Sequence, residues 1–126
     1  RLVRKVCPDC KTDAKLEEAK KQWLAQRFPN QEQSSFVKGR GCQNCNLTGY
    51  QGRIGVFEML ELEHDMMDML RAGDAVGFAS VARQAESYKP LLASAMELAL
   101  QGVVSLDEVM TLGEGDASGS VDAIYL

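Results

Sequence analysis

The chain has 126 residues, with 14 Lys and Arg against 18 Asp and Glu, a net charge of −4 and a pI of about 5.0. That length suits one compact domain or a small metal module with a helical appendage, and the acidic balance argues against a module that grips phosphate backbones. No apolar run approaches the ~20 residues that cross a bilayer, and the charged opening Arg1-Leu2-Val3-Arg4-Lys5-Val6 is no secretory signal.

Arg1–Val6 reads as the middle of an element, so a fragment of a longer protein is expected. Between Lys11 and Phe28, the apolar side chains Leu16, Ala19, Trp23, Leu24 and Phe28 recur every three to four residues, which predicts one helix capped by Asp13 and stopped by Pro29-Asn30. Ile54–Leu60 reads as a strand entered through Gly49 and Gly52. Leu62, Met66, Met69 and Leu70 form the stripe of a helix that ends at Ala72-Gly73, and Asp74 is placed to cap a second helix carrying Val76, Ala79 and Ala82. Pro90 fits the first turn of a third helix through Leu91, Leu92, Ala95, Met96, Ala99 and Leu100, with Gly102 at its end. Ser105-Leu106-Asp107-Glu108 matches a capping box, in which the serine and the glutamate each satisfy the other's backbone donor. Met66, Met69 and Met96 sit at core spacing and are read as packing rather than as a binding surface. The expected organisation is α+β: residues 1–60 as a small tetracysteine metal-binding subdomain, 61–112 as a short helical bundle, and 113–126 as a flexible tail, by its Gly-Glu-Gly-Asp-Ala-Ser-Gly-Ser composition.

The chemistry lies in two hooks, Cys7-Pro-Asp-Cys10 and Cys42-Gln-Asn-Cys45. A CxxC turn aims both sulfurs at one point, and two such turns complete the tetrahedral shell that Zn²⁺ favours. Structural zinc on Cys7, Cys10, Cys42 and Cys45 is the reading adopted; disulfides, a redox-active hook and rubredoxin-like iron use the same residues. Four thiolates would leave no open position for a substrate. The cations flanking the hooks (Arg1, Arg4, Lys5, Lys11, Lys38, Arg40, Arg53) offset thiolate charge. His64 reads as solvated or capping, and Glu17, Glu18, Glu58, Glu61 and Glu63 as solvent-facing. No phosphate loop, GxGxxG or nucleophile elbow is present, so the chain by itself is not expected to be an enzyme.

Three segments, in order, resemble the secretion ATPases of the GspE/PilB type: Arg1-Leu2-Val3-Arg4-Lys5-Val6-Cys7-Pro8-Asp9-Cys10, then Gly41 through Glu58, then Gln101-Gly102-Val103-Val104-Ser105-Leu106-Asp107-Glu108-Val109-Met110. The resemblance covers about residues 1–112. It implies the C-terminal part of a homohexameric ATPase of type II secretion or type IV pilus assembly, cytoplasmic and peripheral to the bacterial inner membrane, without direct membrane insertion. ATP and Mg²⁺ would bind upstream, so no nucleotide-contacting residue carries over. The implied partners are the motor domain of the parent chain and an inner-membrane platform protein. The hooks favour an assembly or secretion motor over a retraction motor, and the ending is more similar to the mannose-sensitive-haemagglutinin (MSHA) pilus branch than to the secretion members. A free-standing zinc-ribbon-like module that binds nucleic acid is the alternative, resting on the cations beside the hooks. The pI of about 5.0 leads us to expect no nucleic-acid binding.

Overall fold

The computed structural model describes residues 1–86 and 88–117. Val3 and Val6 lie three apart in β1 (Leu2–Val6), yet both are buried. A regular strand would put them on opposite faces. The register slips between Arg4 and Val6, where β1 pairs antiparallel with β4 (Tyr50–Gly55). On β4 three residue steps face two on β1, and the extra residue falls beside Gly52, whose φ of 77° suits a bulge. The strand predicted at Ile54–Leu60 is thus shifted towards the second hook; beyond Gly55, Val56 exchanges backbone hydrogen bonds with Arg1, and Met59 bridges to Lys89.

A second antiparallel ladder joins β2 (Lys11–Asp13) to β3 (Val37–Gly39). This corrects the predicted start of the first helix. Lys11, Thr12 and Asp13 are strand, because Lys11 pairs with Gly39 and Asp13 with Val37, and α1 runs only over Glu18–Arg27. Helical spacing counted from Leu16 could not show that pairing, since its partner lies 24–28 residues away. α1 buries Leu24 fully and sets Trp23 against Phe28, with ring centroids 5.9 Å apart.

The helices that follow obey their local signals. α2 (His64–Ala72) stops at Gly73, with φ 72°, and α3 (Ala75–Gln84) is capped by Asp74 Oδ1, which accepts from the Gly77 N–H at 2.9 Å. His64 stands exposed at the first residue of α2. α4 (Leu91–Leu100) follows Pro90 and is turned at Gly102, with φ 79°. Its first N–H, that of Leu91, donates to Glu58 Oε2 at 2.9 Å, so Glu58 caps a helix rather than merely facing solvent. α5 spans Leu106–Ala117, which carries helix past the position 113 where a flexible tail was expected; residues 118–126 lie outside the described residues. Gly113 is where α5 meets the Trp23 ring. It is buried, and a Cβ there would stand 3.1 Å from the Trp23 indole, so the missing side chain lets α5 lie against that ring.

One apolar cluster unites Val3, Leu24, Phe36 and Val56 with Ala95, Met96 and Ala99 of α4 and Val104, Leu106, Val109 and Leu112 at α5. Packing therefore does not divide the chain at residue 60. The last two helices share their core with the ladders, while α2 and α3 pack on each other as a hairpin around Met66, Ala79 and Ala82. The architecture is α+β, and α2 and α3 form a helical hairpin within it. No helix among the described residues is long and apolar enough to cross a membrane.

Candidate metal centre

The two ladders bring the hooks together. β1 leads into the first hook and β4 leads out of the second; β2 leaves the first hook and β3 approaches the second. Both hooks thus lie at the junction of two strand pairs, and α1 is an insertion carried between β2 and β3. Three backbone bonds pin the junction: the Cys7 N–H donates to Gly49 O at 2.9 Å, the Arg40 N–H to Cys10 O at 3.1 Å, and the Leu47 N–H to Cys42 O at 2.8 Å. Asn44 Nδ2 also donates to Asp9 Oδ2 across the hooks, at 3.0 Å.

Backbone geometry at the second hook is unusual, and sequence explains it. Cys42 is extended and begins a turn of 3₁₀ helix over Gln43–Cys45, which Asn46 (φ 54°) and Leu47 (φ 66°) end in the left-handed region. Gly41 (φ 97°) and Gly49 (φ 81°) flank it. Gly49 is demanded twice over. Its φ disfavours any side chain, and a Cβ there would meet Gly39 O at 2.6 Å, because the two glycine backbones pack directly on each other. Thr48 closes the turn by donating from Oγ to Cys45 O at 2.7 Å and accepting from the Tyr50 N–H at 3.1 Å.

Within this frame the four sulfurs converge. Every pair of Sγ atoms lies within 4.8 Å, with Cys42–Cys45 at 3.6 Å and Cys7–Cys42 and Cys10–Cys45 at 3.8 Å. Bonds of ~2.3 Å from a central ion to four thiolates give a tetrahedron with edges of ~3.8 Å. Disulfide bonding at ~2.05 Å is far shorter, and all four cysteines are free. All four predicted ligands are thus brought to one point that fits a tetrahedral, thiophilic ion. Cys7, Cys10 and Cys45 are buried and Cys42 is partly exposed.

The segment 41–49 also supplies amide donors to sulfur. The N–H groups of Cys42 and Gly49 donate to Cys45 Sγ, both at 3.2 Å, the Gly41 N–H donates to Cys10 Sγ at 3.3 Å, and the Cys45 N–H serves Cys42 Sγ as its reciprocal cap. Burial works to raise the Cys45 thiol, but these two backbone donors and the neighbouring thiols outweigh it and bring its pKa down to about 6. At Cys10 burial prevails over the single donor and pushes the thiol up. Cys42 also ends up raised: the Cys45 N–H lowers it, but burial and its thiol neighbours together exceed that effect.

A second polar cluster beside the centre was not foreseen. Glu108 Oε2 accepts the Arg4 backbone N–H at 2.8 Å, and Oε1 accepts from Arg4 Nε at 3.0 Å and Nη2 at 2.7 Å. The Arg4 guanidinium lies 3.9 Å from the Tyr50 ring centroid, and the Tyr50 hydroxyl is 3.1 Å from Ser105 Oγ. The predicted capping box is therefore half correct. Ser105 Oγ does accept the Glu108 N–H, at 3.4 Å, but the Glu108 carboxylate reaches across to β1 instead of back to Ser105. Arg4 is consequently a link between β1 and α5, beyond any role in offsetting thiolate charge.

The family model of the type II/IV secretion system protein matches residues 1–111. The chain belongs to the type II/IV secretion system protein family. Among curated relatives of this secretion family, the chain is 32% identical over 111 residues to the type IV pilus assembly ATPase PilB of Thermus thermophilus, covering 87% of this chain and 12% of that protein. It is 29% identical over 110 residues to the type IV pilus assembly ATPase TfpB of Acinetobacter baylyi, covering 87% of this chain and 19% of that protein. With the type II secretion system ATPase E of Vibrio cholerae it shares 27% identity over 111 residues, 87% of this chain and 21% of that one. The chain spans a fifth or so, or less, of the length of these secretion-family relatives.

Proposed function

We propose that this chain is the zinc-binding and helical C-terminal region of a hexameric ATPase that drives pilin or pseudopilin assembly, and that its own role is structural and docking. The observation that carries the reading is the convergence of four sulfurs at tetrahedral-edge spacing, on a chain whose family match runs through residues 1–111. Zinc is favoured over iron because the role is a fastening that needs no change of oxidation state, and zinc has none to offer. Bound there, the ion would tie the end of β1 to the start of β4 and the start of β2 to the end of β3. The motor domain of the parent chain and an inner-membrane platform protein are the partners this role implies, at the cytoplasmic face of the membrane. ATP and Mg²⁺ would act upstream in the parent chain. Among family branches, the MSHA pilus motors are the expectation from the chain's ending.

The test is metal analysis of the purified chain together with ATP turnover by the parent protein before and after stripping with a thiol-compatible chelator. One zinc per chain, and loss of assembly-linked ATPase activity on stripping that zinc restores, would support the proposal. A chain that folds fully with well under one zinc would overturn it.

A further inference from the structure

The tetrathiolate has one weak edge, and we propose that this edge, Cys7–Cys42, is a modification site at which peroxides and soft electrophiles open the metal centre. The inference rests on the zinc reading above.

Two independent features of the geometry single out the edge. Solvent reaches only Cys42 among the four ligands to any degree, since Cys7, Cys10 and Cys45 are 0%, 4% and 5% exposed. An attacking reagent therefore meets the Cys42 sulfur first, because thiolate reactivity requires access as well as charge. The second feature decides what happens next. Among the described residues, backbone N–H donors from segment 41–49 are aimed at Cys10, Cys42 and Cys45 but not at Cys7. Cys7 Sγ has the Gln51 carboxamide at 3.7 Å and the Cys42 sulfur at 3.8 Å. Hydrogen bonds around a metal ligand hold it in place and damp its nucleophilicity, so Cys7 is the least restrained of the buried three. Cys45 is nearer to Cys42, at 3.6 Å, but two backbone donors and the 3₁₀ turn fix it.

The reaction is then written without remainder. The Cys42 thiolate attacks a peroxide oxygen, the O–O bond breaks, and hydroxide leaves as the sulfur becomes a sulfenic acid. The Cys7 thiolate attacks that sulfur, displaces a second hydroxide and forms the Cys7–Cys42 disulfide. The peroxide takes up the two electrons that the sulfurs lose, and an ion left with two thiolates departs. The new covalent bond spans the same two hooks the ion had spanned, so β1 and β4 stay joined while Cys10 and Cys45 are released.

The test uses the zinc-loaded chain, with its zinc content measured first. A limiting amount of hydrogen peroxide is added, zinc release is followed with a chromogenic chelator, and disulfides are mapped by peptide mass spectrometry. In parallel, N-ethylmaleimide adducts are located at low conversion. The expected result is zinc release in step with a Cys7–Cys42 disulfide, and a first maleimide adduct on Cys42. The Cys42→His variant, which keeps a four-ligand zinc shell, should release zinc roughly tenfold more slowly to peroxide. First adducts on Cys7, Cys10 or Cys45, a dominant Cys42–Cys45 disulfide, simultaneous modification of all four, or an unslowed Cys42→His variant would each overturn the proposal. If the starting chain holds no zinc, the zinc reading itself fails, and the two failures are thereby distinguished.

Discussion

Replacing Glu108 by alanine should be among the most destabilising single changes away from the cysteines, and the reason can be worked through bond by bond. The side chain is 10% exposed and accepts three hydrogen bonds, one from the Arg4 backbone N–H and two from its guanidinium. Removing the carboxylate strands the Arg4 N–H within the β1–α5 contact, a loss of about 1–3 kcal/mol. The guanidinium pair is worth less. Arg4 is 54% exposed, and a screened, solvated partner contributes at most about 1 kcal/mol. The total is about 3 kcal/mol, or a fall in Tm on the order of 10 °C for a domain of this size. Arg4→Ala leaves the backbone N–H and its acceptor intact, so it should cost only about 1 kcal/mol. The double variant should then be nearly as unstable as Glu108→Ala alone, because the orphaned N–H is common to both. Denaturant unfolding of the zinc-loaded proteins measures all three. Equal losses for Arg4→Ala and Glu108→Ala would refute the reasoning, since they would assign the whole effect to the ion pair.

Further outcomes follow from the same structure. Gly49→Ala should abolish stable metal binding, since it places a Cβ 2.6 Å from Gly39 O at a φ of 81°, whereas Gly73→Ala, with nothing within 4 Å, should cost only about 1–2 kcal/mol for its left-handed backbone; parallel zinc titrations and melts compare them. Asp74→Ala should destabilise the α2–α3 hairpin by about 1 kcal/mol through loss of its cap, read by hydrogen exchange in α3. Zinc affinity should fall as pH falls, because protons compete with the ion for each thiolate ligand. In the metal-free chain Cys10 and Cys42, pushed above the ordinary thiol range, take up protons before Cys45, which is held down at about 6; equilibrium dialysis at graded pH checks the trend, and a zinc affinity independent of pH would contradict it.

What could be read from the sequence is the chemistry that acts over a few residues. The CxxC hooks, the Asp74 cap, the turn at Gly73 and the Pro90 start each depend on neighbours within one turn of backbone, and each stands where the sequence placed it. Side chains with distant partners were misread. Glu108 looked like half of a capping box because its spacing from Ser105 is right, yet its partner, Arg4, lies 104 positions away. Glu58 looked solvated because the N–H it accepts, that of Leu91, lies 33 positions on. Asp13 was read as a helix cap, yet it pairs in a ladder with Val37 of β3, 24 positions on. The shared apolar cluster was invisible for the same reason: Ala95, Met96, Leu106 and Val109 meet Val3 and Phe36 only in three dimensions. Gly113 in a Gly-rich stretch suggested a flexible tail, yet it is buried in α5, where a Cβ would stand 3.1 Å from the Trp23 ring.

The central claim is that one metal ion fastens two strand ladders into a shared core. Hydrogen exchange across the described chain, with zinc bound and after chelation, addresses it most directly. The account predicts that β1 through β4, α4 and α5 lose protection together on metal removal, while the α2–α3 hairpin, which lies outside that core, changes least. Unchanged protection of the strands after complete zinc removal would contradict it.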